Sequence, residues 1–297
     1  MKQRFPAWGA GLVPALLFLL PAAMPAATPA DAAFEKLARE TIEARLQANP
    51  EEATELGDHR FDGRLTDYSP EGLAAWEATV RGELTALAQI DPATLTGANR
   101  IDAQILRLEL ESTLFELTEE RPYAWNPLSY NSSLANSIYA FTARDFAPAA
   151  QRLHSAAQRL VAMPRVIAQI EANLKNPPRI HTETAIQQTA GAIELVRTGL
   201  DPLLAEAPEL KAELAPAQAQ AIAALTGYKQ WLEKDVLPHA NGDFRLGAER
   251  FRKKLHYTLA SDLTPEEILA RAERELATTT DALYATARPL FQKYFPD

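Results

Sequence analysis

Apolar positions recur at helical spacing along almost the whole chain. The most regular run lies between Phe146 and Leu174, where Phe146, Leu153, Leu160, Ile167 and Leu174 fall seven residues apart. Three positions further on stand Ala149, Ala156, Met163 and Ile170, so an a/d stripe is held over four heptads. This spacing predicts one long central helix whose alanine layers let a neighbouring helix approach closely. Gln151, Arg152, Gln158, Arg159, Arg165 and Glu171 fall on the other side and are expected to stay wet. Pro164 lacks a backbone donor and is expected to kink the helix, at about 3 kcal/mol.

The flanking sequence divides into further helices. Phe34, Leu37, Ile42 and Leu46 form a first stripe. Asn49-Pro50 and Gly57 bracket a short second helix, and Ser69-Pro70 opens a third with Leu73, Trp76, Val80, Leu84 and Leu87 inward. Ile101, Ile105, Leu108 and Phe115 mark a fourth. After the central helix come a stripe of Ile186, Ala190, Ile193 and Val196, then a helix from about Ala217, then a short basic helix with Arg250, Arg252, Lys253 and Lys254. Thr264 with Glu267 is a capping box with Pro265 at the first helical position, and Ile268, Ala272, Leu276, Thr279, Leu283 and Ala287 read as the inner face of the last helix.

Two stretches lack a helical period. DHRFDGRLTDYSP mixes aromatic, acidic and glycine residues and reads as a structured loop beside a cleft. YAWNPLSYNSSLANSIYAF offers tyrosines and amides; it reads as a buried inter-helix connection, with a cleft wall as the alternative. No segment alternates with period two, so the fold class is all-α, a multi-helix domain over 34–297. No repeat of 30 to 50 residues suggests a solenoid.

The first 26 residues read differently. Lys2 and Arg4 precede an apolar run from Ala7 to Ala26, followed by small residues that allow cleavage anywhere from about 26 to 32. This is the layout of a cleaved signal peptide, so the protein is expected in the bacterial periplasm or secreted, with no membrane attachment after cleavage. Pro6, Pro14, Pro21 and Pro25 argue against a spanning anchor. With no cysteine, neither a lipid-modified N-terminal cysteine nor a disulfide can form. The net charge of −9, or −11 once the two cations are removed, excludes a nucleic-acid partner.

Chemistry is sparse. The five histidines, His59, His154, His181, His239 and His256, form no metal motif, and His181 with Glu183 points to different sides of a helix. Asp58, His59, Asp62 and Asp67 form the one cluster with acid/base capacity, and a plain acidic loop is the competing reading. The basic run Arg245 to Lys254 reads as a solvated face. No nucleophile elbow or phosphate loop is present, so no catalytic, cofactor-binding or metal-binding residue is assigned.

ELGDHRFDGRLTDYSPEGL, the RDFAP…MPR…NL run, NPPRIHTETAIQQTAGA and LTPEEILARAERELA, in that order, resemble the bacterial family of domain of unknown function 885 from about Phe34 onward. The resemblance implies an exported, mainly helical protein similar to the N-terminal half of a helical-cleft (gluzincin-like) zinc peptidase. Its implied metal motif, His-Glu-x-x-Pro-Gly-His, matches no position of this sequence, so no catalytic residue carries over. Zinc is implied for the full-length family and no cofactor is expected in this chain. The resulting expectation is a non-catalytic N-terminal portion of a metallopeptidase-like protein. The alternative is a periplasmic helical peptide-binding or chaperone-like protein. Peptides are the expected partner class under both.

Overall fold

The computed structural model describes residues 28–295. The segment read as a signal peptide, 1–26, lies outside the described residues. All regular structure among the described residues is helical, in twelve α-helices joined by short 3-10 and π turns.

Helices α1 (Pro29–Ala48), α3 (Pro70–Ala88) and α4 (Gly97–Phe115) share one apolar core of Phe34, Val80, Leu87, Leu95, Ala103 and Leu110. α1 and α4 run side by side in the same direction, joined at one end by Asn99 with Asp31 and at the other by Arg45 with Glu109. The start of α1 is fixed by a capping box between Thr28 and Asp31. Asp31 is fully buried and also accepts from the Thr96 amide and hydroxyl and from Asn99. The Thr28 amide foremost, then these other donors, hold its carboxyl far below the usual range against the opposing effect of desolvation.

A second core unites α6 (Pro127–Ala143), α7 (Ala149–Asn173), α8 (Arg179–Thr198) and α10 (Lys211–Trp231). α10 lies along α7 in the most extensive helix pair of the chain. The heptad stripe lies within this core: Leu153, Leu160, Ile167, Ala156, Met163 and Ile170 are all buried. Phe146 lies before the helix starts, and Leu174 caps its end. α7 runs unbroken through Pro164, because buried Met163, Val166 and Ile167 on either side hold the turn that lacks one hydrogen bond.

Several expectations are corrected by the packing. Arg152 and Arg159, read as solvated, are buried, because α7 is covered on that side by α6 and by the 58–69 loop. Ile42, Ile101 and Ile105 point outward at 57%, 58% and 55% exposure; α4 turns Ala103, Leu106 and Leu110 toward α1 and α3 instead. α8 is gripped between α6 and α10 and buries Thr182, Ala185, Thr189 and Ala192, small residues that allow close approach on two sides. α10 starts at Lys211, ahead of Pro216, and α6 starts at Pro127, where Asn126 accepts from the Leu128 amide. Asn49 does not cap α2 (Pro50–Leu56); its amide donates back to the Arg45 carbonyl.

The last two helices depart furthest. α11 (Gly247–Leu259) is not a free basic face: Lys253 pairs with Glu119 at 2.7 Å and Lys254 with Glu120, while Tyr257 packs on Phe115. α12 (Pro265–Tyr294) has the expected capping box but no inner side, since none of its residues is buried. Leu269, Leu276, Leu283 and Leu290, seven residues apart, are all exposed by more than half.

Candidate functional site

A cleft of about 480 Å³ opens between the two cores. One wall is the extended 64–68 segment of the loop after Gly63. The others come from the end of α1, the first turns of α3 with Trp76, and the end of α4 running into a π turn, Glu116–Glu120. Tyr123, on α5 (Pro122–Trp125), closes one side.

The loop wall is tied down residue by residue. Arg64 gives its carbonyl to the Arg159 guanidinium at 2.9 Å. Thr66 donates its amide and hydroxyl to Glu51, at 3.2 and 2.6 Å. Asp67 accepts from Gln169 at 2.7 Å and from the Ser69 amide at 3.0 Å. Tyr68 donates its amide to Gln169, receives Asn173 on its carbonyl and stands edge-on to the Tyr130 ring at 4.9 Å. Where the loop meets α3, Gly72 sits so close that a Cβ would lie 2.5 Å from the Asp67 carbonyl oxygen. Such a wall loses little entropy when a ligand binds.

Arg159 is the post behind this wall. Besides the Arg64 carbonyl it donates to the carbonyls of Ser137 and Pro50, at 2.9 and 3.0 Å, and to the Thr54 hydroxyl at 2.6 Å. Its guanidinium lies 4.9 Å from the Phe141 ring centroid. Thr54 in turn donates to buried Asp62 at 2.7 Å, so a hydroxyl stands between cation and carboxylate. Burial disfavours the charged guanidinium, and its pKa is lowered despite the nearby carboxylates.

The acid/base cluster does not assemble. His59 stacks on Phe146 at 3.7 Å and pairs with Asp62 at 3.1 Å; Asp58 holds Arg60; of the four, Asp67 alone lines the cleft. Within the cleft, burial and then Glu120 push the Glu116 carboxyl up, and burial pushes the Tyr68 phenol up to about 12. The described lining offers hydrogen bonds and aromatic surface. Of the YAWNPLSYNSS stretch, Tyr123 reaches the cleft, while Tyr130 and Asn131 are buried in helix contacts, Asn131 donating to the Ala185 carbonyl at 2.7 Å. Trp76, Glu116 and Gly72 were not legible as site residues. Trp76 reads as one more apolar helix position, and nothing local marks the other two.

The residues do not fit a zinc site. His154 pairs with Glu213, His256 with Asp262, and His181 lies between the Trp125 and Phe244 rings, where burial lowers its pKa. Among the described residues no three His, Asp or Glu side chains converge to hold a metal ion. No described helix is long and apolar enough to cross a membrane.

Residues 50–296 match the family described as bacterial protein of unknown function, DUF885. The chain belongs to this family. The DUF885 chain also matches the solved structure of a candidate lipoprotein of unknown function from Shewanella oneidensis, at 25% identity and a TM-score of 0.72. The match covers 89% of this chain and 49% of the other, so the chain spans about half the length of that protein. No curated protein matches it.

Proposed function

We propose that this chain is the N-terminal, non-catalytic portion of an exported zinc-metallopeptidase-like protein, and that its cleft holds an extended segment of peptide. The observation that carries the reading is the cleft itself: a wall pinned at Arg64, Thr66, Asp67 and Tyr68, with Trp76 and Tyr123 offering aromatic faces. Among its described lining residues are groups that can fix and orient a polypeptide by hydrogen bonds and aromatic contact. The exposed leucine row of α12 supports a scaffold built to pack against further polypeptide, and the chain spans only about half the length of the Shewanella oneidensis protein. The lipoprotein description of that relative supports a location outside the cytoplasm.

The test is to titrate the chain with a library of unstructured peptides, with and without zinc, reading both cleavage and intrinsic fluorescence. Binding that shifts Trp76 emission and is lost in Gly72→Ala is expected. Metal-dependent cleavage by this chain would overturn the non-catalytic part, and absence of any peptide binding would overturn the rest.

A further inference from the structure

On the far side of Trp76 lies a second groove, between α1 and α4, of about 510 Å³. Its walls carry Ile42 and Ile105, its floor Trp76 and Leu106, and Ile101 stands exposed on the same helix. From Glu35 to Arg45 along α1 the groove is about 15 Å long, at 1.5 Å per residue. That is three turns of helix, enough for side chains at i, i+3 or i+4 and i+7 to enter.

The rim selects the sign of the guest. Asp102 and Glu109 on α4 stand across it from Glu35, Arg39 and Arg45 on α1. Arg45 is already held by Glu52 at 2.8 Å and Glu109 at 3.3 Å, and Arg39 lies 3.9 Å from Glu35. Asp102, one residue from Ile101, has no ion-pair or hydrogen-bond partner among the described residues. The chain as a whole carries −9, a field that draws cations and repels anionic amphiphiles. α4 already receives one basic amphipathic helix: α11 docks at its end through Lys253, Lys254 and Tyr257.

We propose that the α1/α4 groove is a second binding site, and that it takes a short basic amphipathic helix, apolar side chains on Ile42, Ile105 and Trp76 and a cation on Asp102. This does not depend on the peptide reading of the cleft, which lies on the other side of Trp76.

The probe is a labelled 14-residue helix of leucine and lysine, with a glutamate-for-lysine twin, titrated into the full chain by fluorescence anisotropy. Binding of the lysine probe is expected, with the glutamate twin at least tenfold weaker. Ile42→Ser with Ile105→Ser should weaken binding at least tenfold, and Asp102→Asn should weaken it and flatten its salt dependence. All three positions are exposed, and unchanged circular dichroism of the variants checks that they fold. Arg64→Ala, in the cleft, should leave the affinity unchanged. Equal binding of both probes, no loss in the isoleucine variant, or loss in Arg64→Ala would overturn the assignment. So would oleate binding in the groove with no binding of the lysine probe, or a chain that buries the groove against its own second copy.

Discussion

Replacing Arg159 by Met removes the charged head while keeping a flexible side chain of similar length. Four charge-assisted bonds disappear, to the carbonyls of Arg64, Ser137 and Pro50 and to the Thr54 hydroxyl. Each is worth about 1.5–3 kcal/mol. Against this, the mutant no longer desolvates a guanidinium, which returns several kcal/mol. Asp62, however, is left buried without the cation that balances it through Thr54. The net loss is expected at about 3–4 kcal/mol, within the range for breaking a buried ion pair from one side. With a urea m-value of about 3 kcal/mol/M the unfolding midpoint falls by about 1 M. Arg159→Lys keeps the charge but has three donors on one nitrogen, which cannot span acceptors on three segments, and is expected to lose about half as much. Thr54→Val combined with Arg159→Met should be non-additive by about 1–2 kcal/mol, since both cut the same chain of bonds. Urea unfolding of these three variants and of Thr54→Val alone, followed by circular dichroism and tryptophan emission, gives the values. A midpoint shift below about 0.3 M for Arg159→Met, or strict additivity with Thr54→Val, would refute the role of Arg159 as the post behind the cleft wall.

Other outcomes follow from the same contacts. The Asp31 carboxyl is depressed in the folded state, so its stabilisation is complete above the ordinary carboxylate range near pH 4 and is lost as pH falls below it. Asp31→Asn should therefore be less stable than wild type at pH 7 and show a weaker loss between pH 5 and 3, read by urea midpoints. Gly72→Ala should cost about 1–3 kcal/mol, because its methyl meets the Asp67 carbonyl at 2.5 Å, and faster amide exchange at 64–68 would report the loosened wall. Lys254→Met leaves buried Glu120 with both oxygens unpaired and should cost about 1–2 kcal/mol, between the exposed and buried ion-pair ranges. Leu276→Asp with Leu283→Asp should change the stability by less than about 0.5 kcal/mol, as both side chains are exposed, while reducing light scattering at high concentration. A large loss of stability there would mean that α12 is packed in solution.

Local pattern determined much of this protein. The caps at Thr264 and Ser69, the left-handed Gly57 and the buried row from Leu153 to Ile170 depend on neighbours within a few residues, and they stand where the sequence places them. The 58–69 loop was legible as irregular and cleft-facing, yet only its 64–68 part reaches the cleft. Tertiary structure decided the rest, because periodicity tells which residues share a side of a helix but not what covers that side. Arg159 turns inward because acceptors from Pro50, Thr54, Arg64 and Ser137, up to 109 positions away, converge on it. Ile42 and Ile105 look like core residues in the sequence and line an open groove, because Ala103 and Leu110 already fill the space beneath. The leucine row of α12 is as regular as the apolar row of α7, but the row of α7 is buried in the second core and none of the residues of α12 is buried. Which side of a helix is apolar is written in the chain; whether that side is buried depends on what packs against it.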